Sequence, residues 1–303
     1  MSFVVSSLSN YTNEQSKKMI AAVQFKAETA ALAEIQTGVK SAAALQILAV
    51  DPVPQNGASC GFNASGTTTF TQRTITTAAV KFEEILCLRD LEAKWTQILL
   101  KNGQKYSEAD VPSVIMDEIT KKIMARLEVA DWQGDTSSSD AYINRYDGLA
   151  KIIKAASGVV AATSSTINET NIRTIAKDLI SKVPNSLKGN SEFTYFCGYD
   201  TYTTYLNKIS ADNLFHMFDA STYGEIRVEN SPYKLKAVHG LDSTSRIIGM
   251  LTSNMVIGVD MEGEEEKAAL WYSQDDDNVK YSFRFRRGWQ IAIPSEIVKY
   301  ANS

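Results

Sequence analysis

The stretch on which the reading turns is Asp131–Ile153, DWQGDTSSSDAYINRYDGLAKII. It follows one of the most regular helical patterns in the chain. It holds four aspartates, two glycines and a serine run, then YDGL and an apolar tail. Two readings compete: a carboxylate cluster that holds a metal, or a joint between two parts of a structural subunit. Calcium takes about six to eight oxygens at defined positions. Asp131, Asp135, Asp140 and Asp147 lack the spacing of a calcium loop. Serine and aspartate after a helix are ordinary turn formers. The spacing therefore favours the joint, with Trp132 and Gly134 ending a helix, the serine run a mobile connector, and Tyr146–Leu149 starting the next unit.

Upstream of the joint, Val111, Ile115, Ile119, Ile123 and Leu127 recur every fourth residue. Ser107 and Asp110 resemble a capping box, and Pro112 is tolerated in a first turn. A helix of about 24 residues is roughly 36 Å long, about twice the usual length, which predicts a strut. Before it, Asp90 is placed to cap a helix carrying Leu91, Trp95, Ile98 and Leu99.

Residues 41–88 read as a long hairpin. LQILAV leads into the turn-rich tip DPVPQNGASCGFNASG, and TTTFTQRTITTAAVKFEEILC returns. Threonine fills most non-apolar positions on both faces. A lone two-stranded hairpin is marginal in water, so this one is expected to rest on another subunit. Residues 12–38 read as a helical arm: Thr12 and Gln15 have capping-box spacing, and Ile20, Val23, Ala27, Ala30 and Ala31 share a face. That alanine-rich face suits close packing on a partner better than a domain core.

Downstream, Ile172, Ile175, Ala176, Leu179, Ile180 and Val183 keep helical spacing up to Pro184. EFTYFCGY predicts a strand, and Asp200 a cap for the helix that follows. This alternation predicts a compact α/β unit. From Glu225 the chain reads as short strands. The clearest is VKYSFRFRR, with Val279, Tyr281, Phe283 and Phe285 on one face, and Gly288 is expected to break it.

Composition narrows the functions. A net charge of −4 over 303 residues argues against wholesale nucleic-acid binding through charge. Cys60, Cys87 and Cys197 are few, odd in number and far apart, which fits a reducing compartment and offers no zinc spacing. The first residues lack signal-peptide character, and no apolar run is long enough for a membrane helix.

Candidate catalytic features are weak. Ser59 lies in GASCG, which matches G-x-S-x-G, but a nucleophile elbow needs a strand before it and a helix after it. PVPQN and FNASGTTT provide neither. A nucleophile at Ser59 or Cys60 would need His216 or His239 as its base. His216 sits among bulky apolar residues and His239 at a strand end, so both read as packing or turn residues. Glu262, Glu264–Glu266 and Asp275–Asp277 read as solvated turns. Arg284, Arg286 and Arg287 could touch nucleic acid, but read more simply as the polar face of an amphipathic strand. No catalytic, cofactor or metal site is predicted.

The order of arm, hairpin, strut helix, W-x-G-D joint, α/β unit and closing strands resembles the major capsid protein of tailed bacteriophages, the Hong Kong 97-type capsid fold. The resemblance covers nearly the whole chain. VADWQGD followed by YDGLAKII is similar to the family's spine helix, its tryptophan–glycine turn and the F/Y-x-G-L start of the axial domain. NIRTIAKDLISKVPNSLKGNSEFTYFCGYDTYTTYL is similar to that domain's helix, strand and following helix. NMVIGVDMEGEEEKAALWYSQDDDNVKYSFRFRRGWQIAIPSEIVKY is similar to the closing strands.

The resemblance implies an α+β fold with an N-terminal arm (1–40), an extended β-hairpin loop (41–88), a peripheral domain with a long spine helix (89–147 and 251–286) and an axial α/β domain (148–250 and 287–303). It implies a non-enzymatic subunit that self-assembles as pentamers and hexamers into an icosahedral shell. That shell encloses double-stranded DNA without sequence-specific binding, in a virion assembled in the host cytoplasm. Scaffold, portal and decoration proteins are implied partners, and no membrane is. Some relatives carry a long fused scaffold, which the roughly 40 residues before the hairpin do not accommodate. Some relatives link lysine to asparagine, but no motif marks Lys40 or Lys81 as reactive. An encapsulin-like compartment shell is the nearest alternative, and a soluble hydrolase using Ser59 or Cys60 is the alternative of another class.

Overall fold

The computed structural model describes residues 27–57, 61–62, 65–87, 110–163, 165–212, 224–260, 267–273, 275 and 278–300. The arm before residue 27, the expected helix after Asp90, Ser59, Cys60, His216 and the glutamates at 262–266 lie outside them.

The repeat of Ile119, Ile123 and Leu127 forms the expected helix, α1 (Asp110–Gln133), 24 residues long. Ile123 and Leu127 are buried and Ile119 is half-buried against the same core. The helix α2 (Leu149–Ala155) follows the joint.

Three further groups of strands are built around this pair. Strands β2 (Ala42–Pro52) and β3 (Gly66–Thr76) form a two-stranded ribbon. The first sheet has five strands: β1 (Glu34–Gln36), β10 (Met255–Val259), β12 (Asn278–Ile291) and β11 (Lys267–Ser273), in that order, with β4 (Ala78–Cys87) also paired to β12. The second sheet has six: β5 (Val160–Ala161), β13 (Val298–Tyr300), β9 (Ile247–Met250), β6 (Thr194–Cys197), β8 (Lys234–Ala237) and β7 (Glu225–Arg227), in that order.

The second sheet has apolar residues on both faces, because successive strand side chains point to opposite sides. In β6, Tyr195 and Cys197 enter one core while Phe196 enters the other. The first core joins α1, α2 and the long strand β12, with Trp132, Leu149, Phe283, Phe285 and Trp289 inside it. The second core lies under α3 (Ile172–Lys182) and α4 (Tyr199–Ala211). Ile172, Ile175, Leu179 and Val183 point into it, as their spacing predicts. The cap of α4 differs from expectation: Gly198 is the N-cap, and Asp200 sits within the first turn.

Four readings of the sequence are corrected. The helix expected over 12–38 does not reach its end, because residues 27–33 turn and Glu34–Gln36 pairs in parallel with Val256–Gly258. Ala27 and Ala30 are buried in this chain's own first core. Their small side chains let this strap lie close to the end of α1, where Thr29 bonds to Glu128.

The hairpin is shorter than 41–88. It pairs Ala42 with Thr76 through Pro52 with Gly66 and stops there. Thr77 then turns the chain, its backbone N–H donating to the Ser41 carbonyl at 2.9 Å and its hydroxyl to the Val39 carbonyl at 2.9 Å. Residues 78–87 add to β12 instead.

Gly288 does not break the last long strand; β12 runs through it to Ile291. A Cβ at this position would lie 2.0 Å from the Thr76 carbonyl oxygen, so glycine is what lets the ribbon's root cross the strand. The strand therefore stays in the first sheet past residue 287. The chain passes between the sheets at 251–254 and again at 292–297.

Candidate assembly interface and the joint that supports it

The joint is organised by Asp131, in the last turn of α1 and fully buried. Arg287, also fully buried, donates to it from Nε at 2.9 Å and again from Nη2. Trp289 Nε1 donates to the same carboxylate at 2.6 Å, and the Tyr146 hydroxyl at 2.7 Å. One carboxylate thus ties together the end of α1, the strand β12 and the approach to α2. Burial alone would lower the Arg287 pKa, but the Asp131 charge and hydrogen bond, together with Tyr146 and Glu128, outweigh it and the net shift is upward. Burial, then the Asp131 charge, pushes Tyr146 well above its ordinary value, so it remains a neutral donor.

A second buried carboxylate lies one turn earlier. Glu128 accepts from the Thr29 backbone N–H at 3.0 Å and from its hydroxyl at 2.5 Å, and Trp132 Nε1 donates to that hydroxyl at 2.6 Å. This pins the strap 27–33 to α1. Burial first, and the nearby Asp131 second, push the Glu128 pKa up to about 7, against the pull of the Thr29 hydrogen bonds.

The remaining aspartates of the stretch act as loop builders. Asp135 and Asp147 both hold Lys151 at 2.7 Å. Asp135 also accepts from Ser137 N–H, Asp147 from Thr136, and Asp140 from Tyr142 N–H. The serine run, expected as a mobile connector, is thus a hydrogen-bonded loop. Gly134 and Gly148 close it backbone to backbone, with Gly148 N–H donating to the Gly134 carbonyl at 2.9 Å. A Cβ on either would meet backbone atoms within 3 Å.

The three arginines separate. Arg284 pairs with Glu83 at 2.7 Å on the exposed face. Arg287 occupies the buried face with Phe285 and Trp289, so it is no part of a basic surface patch. His239 is exposed; its ring stacks on Tyr199 with centroids 4.3 Å apart and its Nδ1 lies 3.0 Å from Asp242. The hydrogen bond to Asp242 raises its pKa. Lys40 is exposed, and Lys81 pairs with Glu83 at 2.7 Å. Among the described residues no group of three potential ligands could hold a metal, and no described helix is long and apolar enough to cross a membrane.

Among the described residues, the ribbon carries several of the exposed large apolar side chains. Its 11 paired positions extend roughly 37 Å. The root is fixed: Ile75 packs with Val39 and Val256, and Arg73 Nη2 donates to Gln290 Oε1 at 3.1 Å. Beyond the root, Leu48 faces Phe70 across the strands, with Val50 next on the same side. These three are 55%, 72% and 57% exposed, far more than apolar side chains in a finished interface. Sequence reasoning located this hairpin from its tip and return, but not its exposed stripe, which depends on the register.

No protein-family model matches the sequence, and no curated protein matches it. Solved structures do. The chain is similar to the satellite phage P4 procapsid that includes the size determination (Sid) protein, with a TM-score of 0.63 at 9% identity, over 94% of this chain and 90% of that one. The capsid of an empty GTA particle gives 0.57 at 14% identity, over 91% and 90%. A virus-like particle from Pyrococcus furiosus gives 0.54 at 11% identity, over 96% and 99%.

Two outcomes test the joint. Asp131→Asn leaves Arg287 buried without its counter-ion, and chemical denaturation is expected to show a loss of about 3–5 kcal/mol. Glu128 supplies the second. The folded chain holds its proton more tightly than the unfolded chain, whose value is near 4.5. The stabilisation from this group is complete below that value and is lost as pH rises through about 7. Glu128→Gln is expected to flatten the fall in unfolding free energy across that window; an unchanged slope would show that Glu128 does not titrate there. Nearly the whole length of this chain thus shares the fold of phage capsid proteins.

Proposed function

We propose that this chain is a major capsid protein, a non-enzymatic subunit that self-assembles into a closed icosahedral shell. In this reading the ribbon is the extended loop, α1 the spine helix, and the first sheet the core of the peripheral domain. The second sheet with α3 and α4 forms the axial domain, and the division falls after Ile291. Pentamers and hexamers of the chain enclose double-stranded DNA inside a tailed-phage virion, assembled in the host cytoplasm. Scaffold, portal and decoration proteins are the expected further partners.

One observation carries the reading: a two-stranded ribbon, rooted in the subunit, that exposes Leu48, Val50 and Phe70 along one face. Such a ribbon is marginal alone. Covering its face with a neighbour recovers roughly 1.5–3 kcal/mol for each large apolar side chain. Repeated around a shell, modest contacts of this kind sum to a stable assembly. A net charge of −4 suits a container whose wall need not grip its contents.

The likeness to the virus-like particle from Pyrococcus furiosus supports a second reading, a compartment shell of encapsulin type with the same assembly and different contents. Phenol extraction of purified particles separates the two: packaged double-stranded DNA supports the virion, and a protein cargo without DNA supports the compartment.

The paired substitution Leu48→Lys with Phe70→Glu, which places opposite charges across the strands, tests the assembly reading. Both side chains are exposed in the subunit, so its thermal unfolding is expected to change little, by about 0.5 kcal/mol or less. Sedimentation and electron microscopy are expected to show subunits or small oligomers in place of shells. Unimpaired shell formation by this variant would contradict the role given to the ribbon.

A further inference from the structure

A small cleft opens between α2 and the second sheet. Its apolar floor is Ala150, Ile153 and Ile248, and its rim carries Lys154, Arg246 and Lys299. No acidic side chain lines it. The register explains the arrangement. Lys299 pairs with Ile248 across β13 and β9, so the two side chains share a face. Arg246, two residues before Ile248, points the same way as the strand begins. Lys154 comes from the last turn of α2. Tyr300 also borders the cleft, while its side chain turns to the opposite face of the sheet, into the second core, where its hydroxyl accepts from Ser165 N–H at 2.6 Å and donates to the Ser165 carbonyl at 2.5 Å.

Several cations elsewhere on this half of the molecule have partners. Arg173 is bound to Glu229 and Asp212, Lys208 to Asp212, and Lys151 to Asp135 and Asp147. None of the three rim cations has an ion pair among the described residues. Arg246 and Lys299 are each half-buried, so water screens their charge less than on an open surface. The chain also reaches Arg246 through an unfavourable backbone. Ser243 and Ser245 have φ of 60° and 49°, in the left-handed region that non-glycine residues rarely adopt. Like charges held together at a concave site without a counter-ion describe a receptor for an anion.

We infer that this cleft binds a phosphate group. The cleft holds about 20 Å3, room for one oxygen-sized group over the apolar floor, with the rest of the anion at the open mouth. A planar guanidinium with two ammonium groups matches a tetrahedral oxyanion: Arg246 donates in a fork, and the lysines act as point charges. The phosphate belongs either to a free anion or to the backbone of a nucleic acid. The inference does not depend on the shell reading, since the cleft lies within one subunit.

Titration of the full chain with inorganic phosphate, followed by calorimetry, tests it. Saturable binding is expected, and Arg246→Gln with Lys299→Gln is expected to weaken it roughly tenfold or more. Lys177→Gln with Lys188→Gln, exposed cations outside the cleft, is the control and should leave it unchanged. If the double variant does not fold, Lys299→Gln alone takes its place with a smaller loss in the same direction. Absence of saturable binding, or equal losses in the cleft and control variants, would overturn the inference. A short DNA duplex distinguishes the source. Duplex binding that falls with the cleft variant assigns the site to nucleic-acid backbone; duplex binding that does not, beside lost phosphate binding, assigns it to a free anion.

Discussion

The buried pair of Asp131 and Arg287 is the constraint on which the rest of the structure depends. Both groups are fully buried, so each leaves water at a cost of several kcal/mol, and only close, saturated pairing offsets it. The pairing is saturated by Trp289 and Tyr146, which donate to the same carboxylate. The four residues come from the end of α1, from β12 and from the approach to α2. None of these elements can slide against the others without exposing a charge to an apolar core. Glu128 and Thr29 extend the lock to the strap 27–33, which leads directly into β1 at the edge of the first sheet. The long helix, the long strand and the strap therefore behave as one rigid frame.

The ribbon is the opposite case. Its root is fixed to that frame by Ile75, Thr77 and Arg73, while farther out Leu48, Val50 and Phe70 stand more than half exposed. A rigid frame with one projecting, apolar, two-stranded arm is a poor design for an isolated protein and a suitable one for a repeating assembly. The frame fixes the direction in which the arm projects, and in the proposed shell the arm would supply contact area to a neighbour. The likeness to phage capsids and to a virus-like particle is one of fold.

Much of this was legible in the sequence because it rests on periodicity. The fourth-residue repeat ending at Leu127 specified α1, and the alternation from Val279 to Phe285 specified β12. The turn-rich tip at 51–66 specified the ribbon. What escaped was set by tertiary contact. Gly288 looked like a strand breaker, and its purpose is visible only with the Thr76 carbonyl laid against it. Ala27 and Ala30 looked like a surface for a partner, and close approach to α1 buries them instead. Arg287 was grouped with its arginine neighbours, although its odd position on the strand assigns it to the face of Phe285 and Trp289. Asp135, Asp140 and Asp147 hold the loop of the joint, but Asp131 gave no local sign that its partner lay 156 residues away.

Electron cryo-microscopy of the assembled full chain tests the central claim most directly. The account predicts closed shells in which residues 42–76 of each subunit lie on a neighbouring copy, with Leu48, Val50 and Phe70 covered by it. A chain that remains monomeric under all assembly conditions, or a particle in which that face stays bare, would contradict it.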